Sequence, residues 1–174
     1  MKQNNKPNTV SRAGYEYLVG YMLGIVLQDL TFQFCVRFLK NPNDPKYPNY
    51  RQIEQMDQAA RSNPQNIAEG HTAESLKSYI HLAGVAHGSN EELGKDYIDY
   101  LRQRNLPIWD KNHHSLNTPS LPNDPTDAAN MLLTFCQMEG YLLDKLISSL
   151  KEKHKREGGL TEKLYQERRQ FRGY

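Results

Sequence analysis

The sequence has little of the chemistry that crosslinks a chain or holds a metal. Cys35 and Cys136 are its only cysteines, and they form neither a Cys-x-x-Cys pair nor a zinc-ligand spacing. Free cysteine is among the most buried residue types, and thiols stay reduced in the cytosol. We therefore interpret both cysteines as small buried hydrophobic residues of a cytosolic protein.

Long apolar runs are missing too. The polar residues 1–8 are not followed by an apolar run of signal-peptide form. The most apolar stretch, residues 18–30, is too short to span a bilayer. It is also too polar, because Gly20, Gly24 and Asp29 interrupt it. The sequence thus predicts a cytoplasmic protein with no membrane partner.

Catalytic and cofactor-binding patterns are absent as well. Residues 88–96 come close to a phosphate-binding loop, but the glycine spacing is too long and Asp96 stands where a Ser or Thr is required. No Glu has a His three residues later, as di-iron bundles need. Asp29 and Glu139, if they faced each other, would still bind a metal poorly without histidines. No Ser-His-Asp or Gly-x-Ser-x-Gly arrangement is readable, so the sequence predicts no catalytic residue, no cofactor and no metal site.

The residues that are present favour helices. Hydrophobic residues make up 37% and charged residues 24% of the 174 residues, which is the balance of one globular domain. Apolar periodicity predicts four helices, at 15–40, from 50 to 70, at 73–103 and from 127 onward. Proline-rich loops separate them at 41–49 and 106–125. The second loop carries the pair His113-His114, and its length makes it either functional or mobile.

Apolar residues cover most of the first predicted helix. Two neighbouring stripes have three-four spacing, so this helix either lies centrally or buries one stripe against another subunit. Asp29 lies on the first stripe, and we expect it to point into solvent or to bond a neighbouring side chain. The first stripe is formed by Leu18, Met22, Ile25, Phe32, Val36 and Leu39, and the second by Val19, Leu23, Val26 and Leu30.

Prolines and glycines predict where the other helices bend or end. Pro64 removes a backbone donor and predicts a kink in the second helix, and Gly70 predicts its end. The small side chains of residues 84–89 predict that a neighbouring backbone approaches the third helix closely. Gly158-Gly159 predicts a break before a short terminal helix, 161–172, that is capped by Thr161.

Three separated segments carry a recognisable pattern. They are residues 55–70, 85–102 and 157–165, and the first contains the motif Pro64, Asn66, Ile67, Glu69 and Gly70. Together they resemble a bacterial family of four-helix-bundle proteins that includes the rRNA intervening-sequence proteins and the accessory proteins of diversity-generating retroelements. The second and third segments are similar to its four-helix-bundle suffix subgroup, and the whole resemblance covers about residues 15–169.

The resemblance implies an architecture and an assembly. We expect an all-α, antiparallel four-helix bundle at 15–155, preceded by a disordered tail at 1–14 and followed by a short basic helical extension at 156–174. Members of the family form closed rings, typically pentamers, so a homo-oligomer is implied. The retroelement accessory proteins bind nucleic acid and a reverse transcriptase on a basic surface. Where the family commonly has two arginines, this chain has Asp57 and Gln58, which shifts the expected contact to other basic residues.

Positive charge is concentrated at the C-terminal end. The net charge of the whole chain is only +2, but residues 151–174 carry eight basic and four acidic side chains. Aromatic residues lie among them and would stack on unpaired bases. The plainer alternative is a solvated helix with pairs such as Glu152 and Arg156. The candidate nucleic-acid contacts are Arg61, Lys151, Lys155, Arg156, Lys163, Arg168, Arg169 and Arg172.

The sequence therefore predicts a non-catalytic, self-associating helical bundle that serves as an RNA- or DNA-binding accessory or scaffold protein. The alternative is a protein-protein interaction module that binds no nucleic acid. Such a module would use the apolar stripe of the first helix or the loop at 106–125 to bind a protein partner.

Overall fold

A computed structural model describes residues 13–40, 42–43, 49–109 and 120–173. This part of the chain is all-α, as predicted, and no strand occurs in it. The predicted tail lies outside the described residues up to position 12, and so does the middle of the second loop with His113 and His114. The helices are a 3-10 turn Gly14–Tyr17, α1 Val19–Phe34 continued by a π-helical turn Cys35–Leu39, α2 Tyr50–Thr72, α3 Leu76–Gln103, α4 Pro125–Glu157 and α5 Leu160–Arg172.

Helices α1 to α4 form an antiparallel bundle. Helix α2 packs on α3, α3 packs on α4, and α1 closes the bundle against α2 and α4. At one end, Arg37 donates to the backbone oxygen of Leu121 across 3.1 Å. At the other, Gly20 lies near Leu142, whose Cβ would be 3.7 Å from a Cβ added at the glycine. The start of α1 therefore meets the middle of α4, and the end of α1 meets the start of α4.

Helix α1 buries only part of each stripe that its apolar pattern predicted. Leu39 and Leu30 are buried, whereas Met22, Phe32 and Val36 are exposed. The buried face also contains Gly24 and Thr31 together with Leu27, Phe34 and Phe38. The pattern did not separate the core face from the outer face, because apolar residues surround this helix. Thr31 bonds the hydroxyl of Tyr97 across 2.8 Å, which satisfies both polar groups in the core. Asp29 is exposed, as expected.

The composition of α1 also bears on membranes. Within the described residues, Val19–Leu39 is the one helix long and apolar enough to cross a bilayer, although a third of its most apolar window is buried in the bundle. The sequence argument that residues 18–30 are too short does not hold, because the helix continues to Leu39. Core helices of soluble proteins have the same length and composition.

Helix α2 is longer than its glycine predicted. It runs through Pro64 and Gly70 and ends at Thr72, so Gly70 is not its terminus. The glycine serves packing instead, because a Cβ there would lie 2.5 Å from the ring of Tyr79. Helix α3 begins at Leu76, three residues later than predicted, where the hydroxyl of Ser75 accepts a hydrogen bond from the backbone of Ser78 at 3.1 Å.

The close approach predicted at residues 84–89 of α3 is made by the other small residues and not by the glycines. Ala86 is fully buried, and the hydroxyl of Ser89 donates to that of Ser62 on α2 at 2.9 Å. Gly84 and Gly88 are exposed and have nothing within 4 Å of an added Cβ, so the expectation is wrong for these glycines. The helices also lie close further along, where a Cβ added at Gly94 would be 3.6 Å from Cys136 and one added at Gly140 would be 3.4 Å from Asn90. The predicted pattern counted small residues without knowing which side of α3 they occupy.

Helix α4 is the longest element and extends beyond the bundle. The carboxylate of Asp124 caps its start by accepting from the backbone of Thr126 and Asp127 at 2.8 and 3.0 Å. No residue of α4 after Leu150 is buried. The predicted break at Gly158-Gly159 is present, but α5 begins at Leu160 with Gly159 at the N-cap position, so Thr161 is not the cap.

Candidate nucleic-acid interface

Most of the candidate cations project from the end of the bundle. The last two turns of α4 and all of α5 expose their charged side chains to solvent. This arrangement follows from the sequence, because the stretch after Leu150 has too few apolar residues to pack as a fifth core helix. The exposed candidates here are Lys151, Lys155, Arg156, Lys163, Arg168, Arg169 and Arg172.

Two glycines set the joint between α4 and α5. Gly158 has a φ of 71°, in the left-handed region that favours glycine. The carboxylate of Glu162 accepts from the backbone nitrogen of Gly159 at 2.9 Å and fixes the first turn of α5. A Cβ at Gly159 would lie 3.1 Å from the ring of His154 and 2.7 Å from the Glu162 carboxylate. The direction of α5 is therefore set by local geometry rather than by burial.

Helix α5 has two different sides. At about 100° per residue, Leu160, Leu164 and Phe171 fall within about 40° of one another, and we call them the apolar stripe of α5. Tyr165, Arg169 and Arg172 lie on the other side of the helix, and we call them the arginine face. An aromatic ring followed by two guanidinium groups on the same side of a helix combines stacking with phosphate attraction.

Lys155 has an acidic partner within the extension. Lys155 donates to the carboxylate of Glu152 at 2.6 Å, and this hydrogen bond and charge lower the pKa of Glu152 below its ordinary value. The charge of Arg156, the partner that the sequence suggested for Glu152, lowers this pKa as well. The positive charge of Lys155 is therefore partly compensated.

Arg61 is not part of the C-terminal group. It is exposed on α2 next to Ser62, whose hydroxyl accepts from Ser89 on α3 at 2.9 Å. The C-terminal cations lie beyond Leu150, which packs with Ala83, six residues before Ser89. Arg61 thus lies at a different level, separated along the bundle by roughly 10 Å or more.

A polar groove that the sequence analysis did not identify lies beside Arg61. It occupies about 490 Å³ between α2 and α3. Burial, together with the charges of Asp99 and Glu92, raises the pKa of Asp96 to about 6. Two carboxylates against one lysine make this groove a poor match for phosphate. The run of glutamines and small residues in the first segment was the available signal, and the lining residues are Gln55, Gln58, Ala59, Ser62, Ser89, Glu92, Lys95 and Asp96.

The bundle interior holds the most unusual polar group. Glu139 is 0% exposed, and its carboxyl accepts from the side-chain nitrogen of Asn63 at 2.6 Å. Burial raises its pKa to about 8, although the bond from Asn63 opposes this shift, so the group is mostly protonated at neutral pH. On the next turn, Asn90 donates to the backbone oxygen of Cys136 at 2.8 Å. We call Asn63, Asn90 and Glu139 the buried polar layer.

The buried polar layer differs from the arrangement that the sequence suggested. Glu139 faces Gly24, where an added Cβ would lie 2.7 Å from its carboxyl oxygen, and it does not face the exposed Asp29. One side-chain oxygen of each member has no hydrogen-bond partner among the described residues. Across the same residues, no group of three His, Cys, Asp or Glu side chains is placed to hold a metal ion. Burial on all sides gives this layer a structural role in the packing of α2, α3 and α4.

Comparison with known proteins identifies the family. The sequence model of the 23S rRNA-intervening sequence protein family matches residues 27–115, which are 89 of the 174 residues. The match covers the second half of α1, the π-helical turn after it and the whole of α2 and α3, while α4 and α5 lie outside it. The search of curated proteins gave no match. On its sequence match and its helical fold, the chain belongs to the 23S rRNA-intervening sequence protein family.

Proposed function

We propose that this protein is a non-catalytic, self-associating helical bundle in the cytoplasm that binds RNA or DNA as an accessory or scaffold protein. The observation that carries the proposal is the arginine face of α5, held outside the bundle on a helix whose side chains are all exposed. The family description refers to an insertion in ribosomal RNA, which agrees with a role near RNA.

The charge distribution supports binding through the C-terminal end. Residues 151–174 carry a net charge of +4, and the remainder of the chain carries −2. Phosphate attraction is therefore directed to one end of the molecule. Tyr165 adds a flat ring to this surface at 62% exposure, and such a ring stacks on an unpaired base.

Self-association would strengthen this binding. The outward side of α1 exposes five large apolar side chains, which we call the outer face of α1, and such a surface marks an interaction site. Each copy added to an assembly contributes another arginine face, and affinity for a phosphate backbone grows with the number of contacts. The family resemblance implies a pentamer. The outer face of α1 comprises Val19, Met22, Val26, Phe32 and Val36.

The test is the salt dependence of nucleic-acid binding. We expect the full chain to bind a labelled single-stranded RNA or DNA with an affinity that falls steeply with salt, as measured by fluorescence anisotropy. Replacing Arg169 and Arg172 by Glu should weaken binding at least about tenfold. Replacing the exposed Arg51 and Lys77 on the bundle by Glu changes the net charge equally and should have a much smaller effect.

A protein-interaction module is the second candidate function. The outer face of α1 favours it, because such a surface suits a protein partner as well as a second copy. In that case both double variants would behave alike, and the unaltered chain would bind nucleic acid weakly at physiological salt. Replacing Lys163, Arg168, Arg169 and Arg172 together by Glu would then leave every measured interaction unchanged.

A further inference from the structure

Two apolar surfaces of this chain are left uncovered, and they differ in shape. The outer face of α1 is broad, and Phe32 on it is 60% exposed. Asp29, also exposed, is the one carboxylate between its apolar side chains. This face extends from Val19 to Val36, or about 25 Å along the helix.

The apolar stripe of α5 is the second surface. Phe171 is 93% exposed, and Leu160 and Leu164 are exposed as well. Helices of 13 residues are marginal in water when nothing packs against them. A helix of this length that keeps three large apolar side chains on one side is stabilised by docking that side on another apolar surface.

The α5 of a chain cannot cover the outer face of its own α1. The start of α1 lies beside Leu142 and Leu143 on α4, and α1 then runs away from the end of α4. From Leu143 to Gly158 is about 22 Å along α4, and from Gly158 to Phe171 is about 20 Å along α5. Even if α5 folded straight back along α4, only Phe171 would come near Val19, and the rest of the face would stay uncovered.

We propose that the apolar stripe of α5 from one copy docks across the outer face of α1 in a second copy. The proposal rests on the self-association proposed above and specifies its contact. The charges are complementary at the edges of the stripe, because Lys163 and Arg168 flank it and Asp29 interrupts the face, while Glu167 lies within the stripe between Leu164 and Phe171. The lengths agree as well, since about 17 Å of stripe fits within about 25 Å of face.

This docking does not cover the side of α5 that we propose to bind nucleic acid. Tyr165, Arg169 and Arg172 lie on the side of α5 that points away from the apolar stripe. Each docked α5 therefore presents its arginine face on the outside of the assembly. Each copy contributes one α5 and binds the α5 of another copy, so the contact is head-to-tail. Such contacts close into a ring when the rotation between copies allows it, and in a dimer the two chains would exchange their α5 helices.

Crosslinking between two separately tagged chains tests the contact. One chain carries Val26→Cys and the other carries Leu164→Cys, and the native Cys35 and Cys136 are buried. After mixing and mild oxidation, we expect a disulfide-linked pair that contains both tags. A matched chain with Gln166→Cys, on the other side of α5, should give little of this product. Equal crosslinking from both positions, or none from Leu164→Cys, would overturn the proposal.

Mass in solution separates the docking from self-association in general. We expect Leu164→Asp with Phe171→Asp to weaken assembly at least about tenfold, whereas Gln166→Asp with Gln170→Asp leaves it unchanged. If the unaltered chain has the mass of one copy at every concentration, self-association fails and the docking fails with it. If it assembles and the stripe variant assembles equally well, the docking alone is wrong.

A charge exchange gives an independent check. Asp29→Arg and Arg168→Asp should each weaken assembly several-fold, because each places like charges on the two surfaces. The chain that carries both substitutions should regain most of the lost affinity. Losses that merely accumulate in the double variant would contradict the proposed pairing.

Discussion

Glutamate pKa values shift in opposite directions in the interior of the bundle and in its C-terminal extension. In the interior, burial disfavours the charge of Glu139 and raises its pKa to about 8. In the extension, Lys155 favours the charge of Glu152 and lowers its pKa. The same side chain is thus a neutral hydrogen-bonding group in one region and part of a solvated ionic surface in the other. Interior substitutions should therefore change stability, and extension substitutions should change binding.

The largest expected effect concerns Glu139 and pH. Below about pH 4.5, its ordinary pKa, the group is protonated in both the folded and the unfolded chain. Between 4.5 and about 8 only the folded chain keeps the proton, so stability falls as the pH rises through this window. The loss from Glu139 between pH 5 and 8 should be on the order of 3 kcal/mol.

Glu139→Gln isolates that contribution from other titrating groups. The amide keeps the shape of the side chain and still accepts from Asn63, but it carries no proton to lose. We expect urea unfolding at several pH values to show that the free energy of unfolding of the variant rises relative to that of the parent as the pH approaches 8. Parallel pH profiles for parent and variant would mean that Glu139 is ionised and solvated in the folded chain.

A smaller loss is expected at the contact between α2 and α3. Gly70→Ala places a Cβ 2.5 Å from the buried ring of Tyr79, which must move, and this should cost about 2 kcal/mol. The matched change is Gly84→Ala on the exposed side of α3, where nothing lies within 4 Å. That variant should be more stable than the parent by about 0.5–1 kcal/mol, because alanine favours the helix. Thermal unfolding of both variants compares the two sites, and equal effects would show that Gly70 is not held by packing.

The contrast between Gly70 and Gly84 also shows how far the sequence predicts this fold. Helix type and order follow from apolar period and from breaks such as Gly158-Gly159, because these signals are local. The orientation of α1 was not predictable, because its apolar residues surround the helix and its core face contains Gly24 and Thr31. The space beside Gly24 is filled by Pro64 of α2 and Glu139 of α4. Such pairings depend on tertiary structure and leave no periodic signal.

The candidate site shows the same division. The composition of residues 151–174 already shows that this segment is basic. In the structure its charged side chains are exposed to solvent, as expected for charged groups. Arg61 was grouped with them because Asp57 and Gln58 replace the two arginines common in the family, but it lies at another level of the bundle. The split of α5 into an apolar stripe and an arginine face required knowing that the helix begins at Leu160 and that no side chain of it is buried.

The smallest effect on stability is expected for the arginine face. Arg169→Glu with Arg172→Glu should leave the unfolding temperature of the bundle unchanged, because every side chain of α5 is exposed. The same variant should lose at least about tenfold in nucleic-acid affinity. Differential scanning calorimetry and anisotropy on one preparation measure both quantities. A variant that unfolds at a lower temperature and binds nucleic acid equally well would contradict this expectation, because the extension would then stabilise the bundle instead of binding nucleic acid.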